Sequence, residues 1–187
     1  MSAHIALLPG DLPVVGTMIL AEAYRRNGNT DKAHSLLIEA QDTLSTLPGR
    51  MHSNVILERL AIGFAILGDA DAAREVLGEF GAIAFERQRA WYRVAPLLAC
   101  HGLLDALEAV DQSGATTPGY PGKSAMITNV LIAAAASGQA DEAYTFASGA
   151  DSYDRSIWLV AVLIGLIQAE QPADSTTPCP TLNTLPK

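Results

Sequence analysis

Positive charge is scarce in this chain: 12 lysines and arginines stand against 20 aspartates and glutamates, a formal net charge of −8. A surface of that sign repels phosphate backbones, so nucleic-acid binding is not expected. Cysteine is nearly absent. Cys100 and Cys179 lie far apart in dissimilar surroundings, which is no disulfide framework and suits a reducing compartment, and Cys179 reads as an unpaired exposed thiol, with intermolecular pairing as the alternative. Long apolar runs are missing too. "IWLVAVLIGLI" at 157–167 has 11 residues, where a bilayer span needs roughly 20. The start, "MSAHIALLPGDLP", lacks the basic opening and unbroken apolar stretch of a secretion signal. These absences point to a soluble, cytoplasmic protein with no membrane insertion.

Chemistry is equally thin. The four histidines, His4, His34, His52 and His101, are scattered, with no pair at i, i+4 and no matching carboxylates, so no metal site is expected. Cys100 and His101 are neighbours, but adjacent helical residues point apart and cannot act as nucleophile and base. "GATTPGYPGK" lacks the spacing of a phosphate loop. Acidic pairs such as Asp69/Asp71 and Asp151/Asp154 stand just before expected helices, where capping explains them. No catalytic residue, metal or cofactor is assigned, and no enzyme is expected.

What the chain does have is apolar mass (49%) with few aromatics (6%), much of it alanine, the best helix former. It also repeats itself. Glycines at 28, 68, 102 and 138 recur at steps of 40, 34 and 36. Each is followed three residues on by an aspartate (Asp31, Asp71, Asp105, Asp141). Three are followed at plus five by alanine (Ala33, Ala73, Ala143), with Leu107 in the remaining unit. Eight residues before each glycine stands Leu20, Leu60, Val94 or Val130. Such a period marks stacked helical hairpins. Glycine tolerates the left-handed conformation that ends a helix, and the aspartate caps or charges the next one. The alanine allows close packing.

Hydrophobic periodicity and breakers predict helices over 13–27 and 30–46, 51–67 and 70–80, 85–101 and 103–111, 123–137 and 140–148, and a last one over 154–170. Pro96 should kink or split the fifth. One helical domain over 1–170 is expected, followed by a tail over 171–187 that carries four prolines and is expected to be disordered or to lie along the last helix.

The pattern Leu20, Ala21, Tyr24, Gly28, Ala33 and its echo Leu60, Ala61, Phe64, Gly68, Ala73 resembles the tetratricopeptide repeat. Trp91, Val94, Ala95 and Gly102 continue it, and Val130, Gly138 and Ala143 keep less. The second helices match poorly, which leaves a HEAT-like hairpin repeat open. The resemblance implies an all-α, right-handed solenoid of about four antiparallel pairs plus a C-terminal helix. It also implies a concave groove lined by first helices. Here the groove set would be Val15, Met18, Glu22 and Arg25; Val55, Glu58, Ile62 and Ala65; Arg89, Tyr92 and Ala99; and Ala125, Thr128, Ile132 and Ala135. It lacks the lysines and asparagines of family members that clamp acidic chaperone tails. An apolar groove suits an amphipathic helix, unless its residues serve the core.

Two further surfaces draw notice. Arg87, Arg89 and Arg93 with Trp91 and Tyr92 form a basic–aromatic cluster, fit for an acidic peptide or for pairing within the protein. The last helix is apolar nearly all round, and Ile157, Trp158, Val160, Leu163, Ile164 and Ile167 would form an interface with a partner protein or a second copy, unless the chain's own tail covers them or the helix tucks into the preceding pair. The expected function is a non-catalytic adaptor or scaffold that binds a protein or peptide. A small-molecule-sensing domain and a structural subunit of a complex stand as alternatives.

Overall fold

The computed structural model describes residues 11–47, 54–80, 84–113 and 122–170. Among them the chain forms nine α-helices: α1 Asp11–Arg26, α2 Thr30–Thr46, α3 Asn54–Leu67, α4 Ala70–Gly78, α5 Ala84–Ala99, α6 Leu103–Gln112, α7 Lys123–Ala136, α8 Ala140–Ser148 and α9 Ser152–Glu170. Every expected helix is present, with ends within three residues of the periodicity reading. The fifth is neither split nor ended at Pro96, which sits in its closing turns. A proline there deletes one of the last backbone bonds instead of one in mid-ladder. The tail at 171–187, Cys179 included, lies outside the described residues.

Packing follows chain order. Each odd helix packs on its even successor, α1 on α2, α3 on α4, α5 on α6 and α7 on α8, and the odd helices also pack on one another from α1 through α9. The chain is therefore a run of sequential helix pairs. The cause lies in the turns. Gly28, Gly68 and Gly138 take φ of +78°, +83° and +96°, the left-handed region where a Cβ costs about 1–2 kcal/mol. Gly102 differs. Its φ of −167° is extended, and it serves as the N-cap of α6. One aligned glycine thus does another job. The following aspartates, Asp31, Asp71, Asp105 and Asp141, stand in first helical turns, where their charge meets the positive end of the dipole. Side-chain caps come earlier, from Asn29 to the Lys32 N–H and from Asp69 to the Ala72 N–H.

Each turn is also tied to the next. His34 Nε2 donates to Asp69 at 2.7 Å, and His101 Nε2 donates to the Ile66 carbonyl at 3.0 Å. Gln139 donates to the Ala99 carbonyl at 2.7 Å while accepting from the Leu103 N–H at 2.8 Å. These links run from one hairpin to its neighbour at the same level. They fix the stacking that apolar contact alone leaves free to slide.

The buried set is one continuous cluster from Val14 to Val162, built on Phe64, Leu57, Leu60, Leu98, Met126 and Leu131 and filled between helices with alanine. Alanine lets α7 and α9 meet closely: a Cβ placed on Gly165 would lie 2.4 Å from the Ile132 carbonyl oxygen and 2.7 Å from the Ala135 Cβ. Among the described residues no helix is long and apolar enough to cross a membrane. Cys100 is disulfide-bonded, which corrects the expectation that the cysteines form no disulfide framework. It also removes the argument for a reducing compartment that rested on unpaired thiols.

Candidate functional site

Two surfaces gather the residues singled out in the sequence. The first lies among α1, α2 and α3. Val15, Met18 and Ile19 from α1, Leu37 from α2, and Val55, Ile62 and Ile66 from α3 wall a cavity of about 460 Å³. Three charged residues join them, Glu22, Arg25 and Arg59. The groove positions of the first repeat all stand here, and Val55 and Ile62 stand for the second. Arg59, Ile19 and Ile66 were missed. The signal was available: Val55, Arg59, Ile62 and Ile66 follow i, i+4, i+7, i+11, one face of a helix. The positions implied by the family resemblance are rotated about one residue from it.

Arg25 is 4% exposed. Its Nε and Nη2 donate to the two Glu22 carboxylate oxygens at 2.7 and 2.8 Å, and Arg26 Nε donates to Glu22 at 2.7 Å. The hydrogen bond from Arg25 outweighs burial and, with Arg26, holds the Glu22 carboxyl below its ordinary value. Arg25 Nη1 is sealed from solvent and takes no hydrogen bond.

Other groove positions do not line the cavity. Glu58, 4% exposed, is held by α5: Arg89 donates to it at 3.0 Å, and Arg93 donates to its other oxygen. Asn54 donates to Glu86 one turn away. Trp91 is buried in the core. So much of the basic–aromatic cluster is spent within the protein, Arg89 and Arg93 on Glu58 and the tryptophan on packing. Ala65, Ala99 and Ala135 are buried, while Tyr92, Ala125, Thr128 and Ile132 are half-buried. The Ile132 carbonyl faces Gly165, so α9 covers this part of α7. The Cys100–His101 neighbours go separate ways, one into a disulfide and the other onto Ile66.

The second surface is α9. Asp151 accepts from the Tyr153 and Asp154 N–H groups and so starts the helix. Asp154 accepts from Ser124 Oγ at 2.6 Å, tying α9 to α7. Trp158, Ala161, Val162 and Gly165 form the buried stripe. Trp158 belongs there, stacked on Phe146 with ring centroids 5.4 Å apart, and is corrected from interface residue to core residue. Its ring fills the angle between α8 and α9. The remaining candidates, Ile157, Val160, Leu163, Ile164 and Ile167, are all exposed, joined by Tyr153 and Leu166.

Tyr153, Ile157, Val160, Ile164 and Ile167 follow spacings of 4, 3, 4 and 3, the seam of a helix that packs lengthwise on another helix. Seven of the fourteen large apolar side chains exposed among the described residues lie on this helix. That concentration separates it from the singly scattered apolar residues of an ordinary surface.

Among the described residues no group of three or more histidines, cysteines or carboxylates is placed to hold a metal ion. No family model matches the chain, and neither a curated protein nor a solved structure matches it.

Proposed function

We propose that the chain is a non-catalytic adaptor, a right-handed tetratricopeptide-like solenoid that docks an amphipathic helix of another protein along α9. The exposed 4-3-4-3 stripe of Tyr153, Ile157, Val160, Ile164 and Ile167 carries the reading. Left in water, that stripe loses about 25 cal/mol for each Å² of apolar area a partner would cover. A partner helix with its own apolar seam fits it side by side, with knobs set between four neighbours. The solenoid reading is supported by the succession of odd helices packed on odd helices and by left-handed glycines at matching places in three pairs.

A photo-crosslinking residue placed at Leu163 in the full chain tests this, with the same residue at Leu104 on α6 as control. Leu104 is more exposed, at 80% against 56%, so exposure alone predicts more adduct there. The expected result is one discrete heterologous adduct at Leu163, abolished by Ile164→Glu with Ile167→Glu, and none at Leu104. Equal labelling at both sites, or an adduct indifferent to the glutamates, would overturn the reading. A purely self-linked product would replace the adaptor by a homodimer.

A further inference from the structure

The cavity among α1, α2 and α3 is of a different kind from the α9 stripe, and what it can hold goes beyond the adaptor reading. At about 460 Å³ it lies within the range of small-molecule sites and is small for a length of partner helix. Its walls are largely apolar, with Val15, Met18, Leu37, Ile62 and Ile66 among them. An apolar lining of that extent offers dispersion contacts to an aliphatic ligand along its whole length.

Its charges run against the charge of the chain. Arg25, Arg26 and Arg59 bring three guanidinium groups to this corner, and Glu22, which Arg25 and Arg26 share, is the one carboxylate they are paired with. Arg59 makes no ion pair among the described residues. Arg25 keeps Nη1 unpartnered although the side chain is 95% removed from solvent. A guanidinium has a second donor edge, and Glu22 occupies the Nε/Nη2 edge alone. A buried donor without an acceptor is costly to keep. On a molecule of net charge −8, this is an apolar pocket with a locally positive mouth.

We propose that this cavity binds an aliphatic monocarboxylate, its chain among Val15, Met18, Ile62 and Ile66 and its carboxylate held by Arg59 beside Arg25. The shape of the binding series follows from the two parts of the site. Each methylene added within the cavity tightens binding about fourfold, so decanoate exceeds octanoate by about fifteenfold. The headgroup sets the sign of the charge preference, and here the local and global fields disagree. The overall charge favours a cation. The arginines favour an anion.

Titration calorimetry on the full chain with decanoate, decylamine and 1-decanol, each below its aggregation threshold, decides between them. Decanoate is expected to bind at least tenfold tighter than decylamine, with decanol between. Arg59→Gln, at an exposed position, should reduce decanoate several-fold toward the level of decanol and leave decanol unchanged. Met18→Trp, which fills the cavity, should abolish all three while circular dichroism stays helical. Decylamine binding as tightly as decanoate would overturn the proposal. So would an Arg59→Gln variant that keeps the carboxylate preference, or a wild-type chain that binds none of the three.

Discussion

Replacing Gly165 by alanine sets two effects of opposite sign against each other, and the geometry says which wins. Within a helix, glycine to alanine gains about 1 kcal/mol from backbone entropy and propensity. At Gly165 the new Cβ would lie 2.4 Å from the Ile132 carbonyl oxygen, 2.7 Å from the Ala135 Cβ and 3.1 Å from the Ala136 nitrogen. Two of those three are backbone atoms of α7 and cannot rotate away. An ordinary carbon–oxygen contact is about 3.4 Å, so α9 must retreat by roughly 1 Å. A gap of that size forfeits a quarter to a half of each dispersion well along the seam, including those of Trp158, Ala161 and Val162. Overpacking of this kind costs about 1–3 kcal/mol, and a contact with rigid backbone belongs at the upper end.

The net expectation is a loss of about 2 kcal/mol, which lowers Tm by roughly 4–8 °C in a chain of this size. Gly16 supplies the control. It lies inside α1, is exposed, and a Cβ there meets nothing within 4 Å. Gly16→Ala should raise Tm by roughly 2–4 °C, the propensity effect alone. Thermal and urea unfolding followed by circular dichroism on both variants tests the pair. If Gly165→Ala stabilised as Gly16→Ala does, the close approach of α7 and α9 would be wrong. The placement of the exposed α9 stripe would fall with it.

Three other outcomes follow from the same packing. Gly68→Ala should cost more than Gly28→Ala: both need a left-handed φ, but at Gly68 the Cβ also lies 2.9 Å from His101 Nδ1. The difference, about 1 kcal/mol by analogy with overpacking, should shrink when His101→Ala is added in a double-mutant cycle. Removing Arg89 and Arg93 together should cost about 3 kcal/mol by urea unfolding, because Glu58 is then left buried and unpaired. Glu58→Gln should cost less, since the arginines it frees are 40% and 60% exposed and return to water. Asp69→Asn keeps a capping oxygen, since asparagine caps as well as aspartate, but should lose about 0.5–1 kcal/mol at pH 7 with the charge that faces the α4 N-terminus and His34. Burial raises the Asp69 carboxyl, but the Ala72 N–H and His34 outweigh it and hold the group below its ordinary 3.8. A lowered folded pKa stabilises above the unfolded value and is lost as pH falls through the folded one. The gap between wild type and Asp69→Asn should therefore close below about pH 4; a constant gap down to pH 3 would refute this assignment.

The helices were legible because their signals are local. Gly28, Gly68 and Gly138 stop a helix by φ alone, and an apolar period needs no knowledge of what it faces. Gly102 shows where that logic fails. It aligns with the other three, yet it is extended, and the turn is held by Gln139, a residue 37 positions on. No spacing rule reports a hydrogen bond between hairpins, and the same holds for His34 with Asp69. The disulfide at Cys100 escaped because a single cysteine far from the other carries no spacing signal.

The site divides the same way. α9 reads as apolar all round, and only packing on α7 and α8 decides which stripe is spent. Small residues settle it. Ala161 and Gly165 present no bulk and so take the face that meets α7, while Trp158 fills the angle beside Phe146. What remains outward is the bulky set, Ile157, Val160, Leu163, Ile164 and Ile167. α9 turns Trp158 and Val162 inward with its two small residues and leaves those five bulky aliphatic side chains in water. Its remaining hydrophobic free energy can be recovered only by a further surface laid against it.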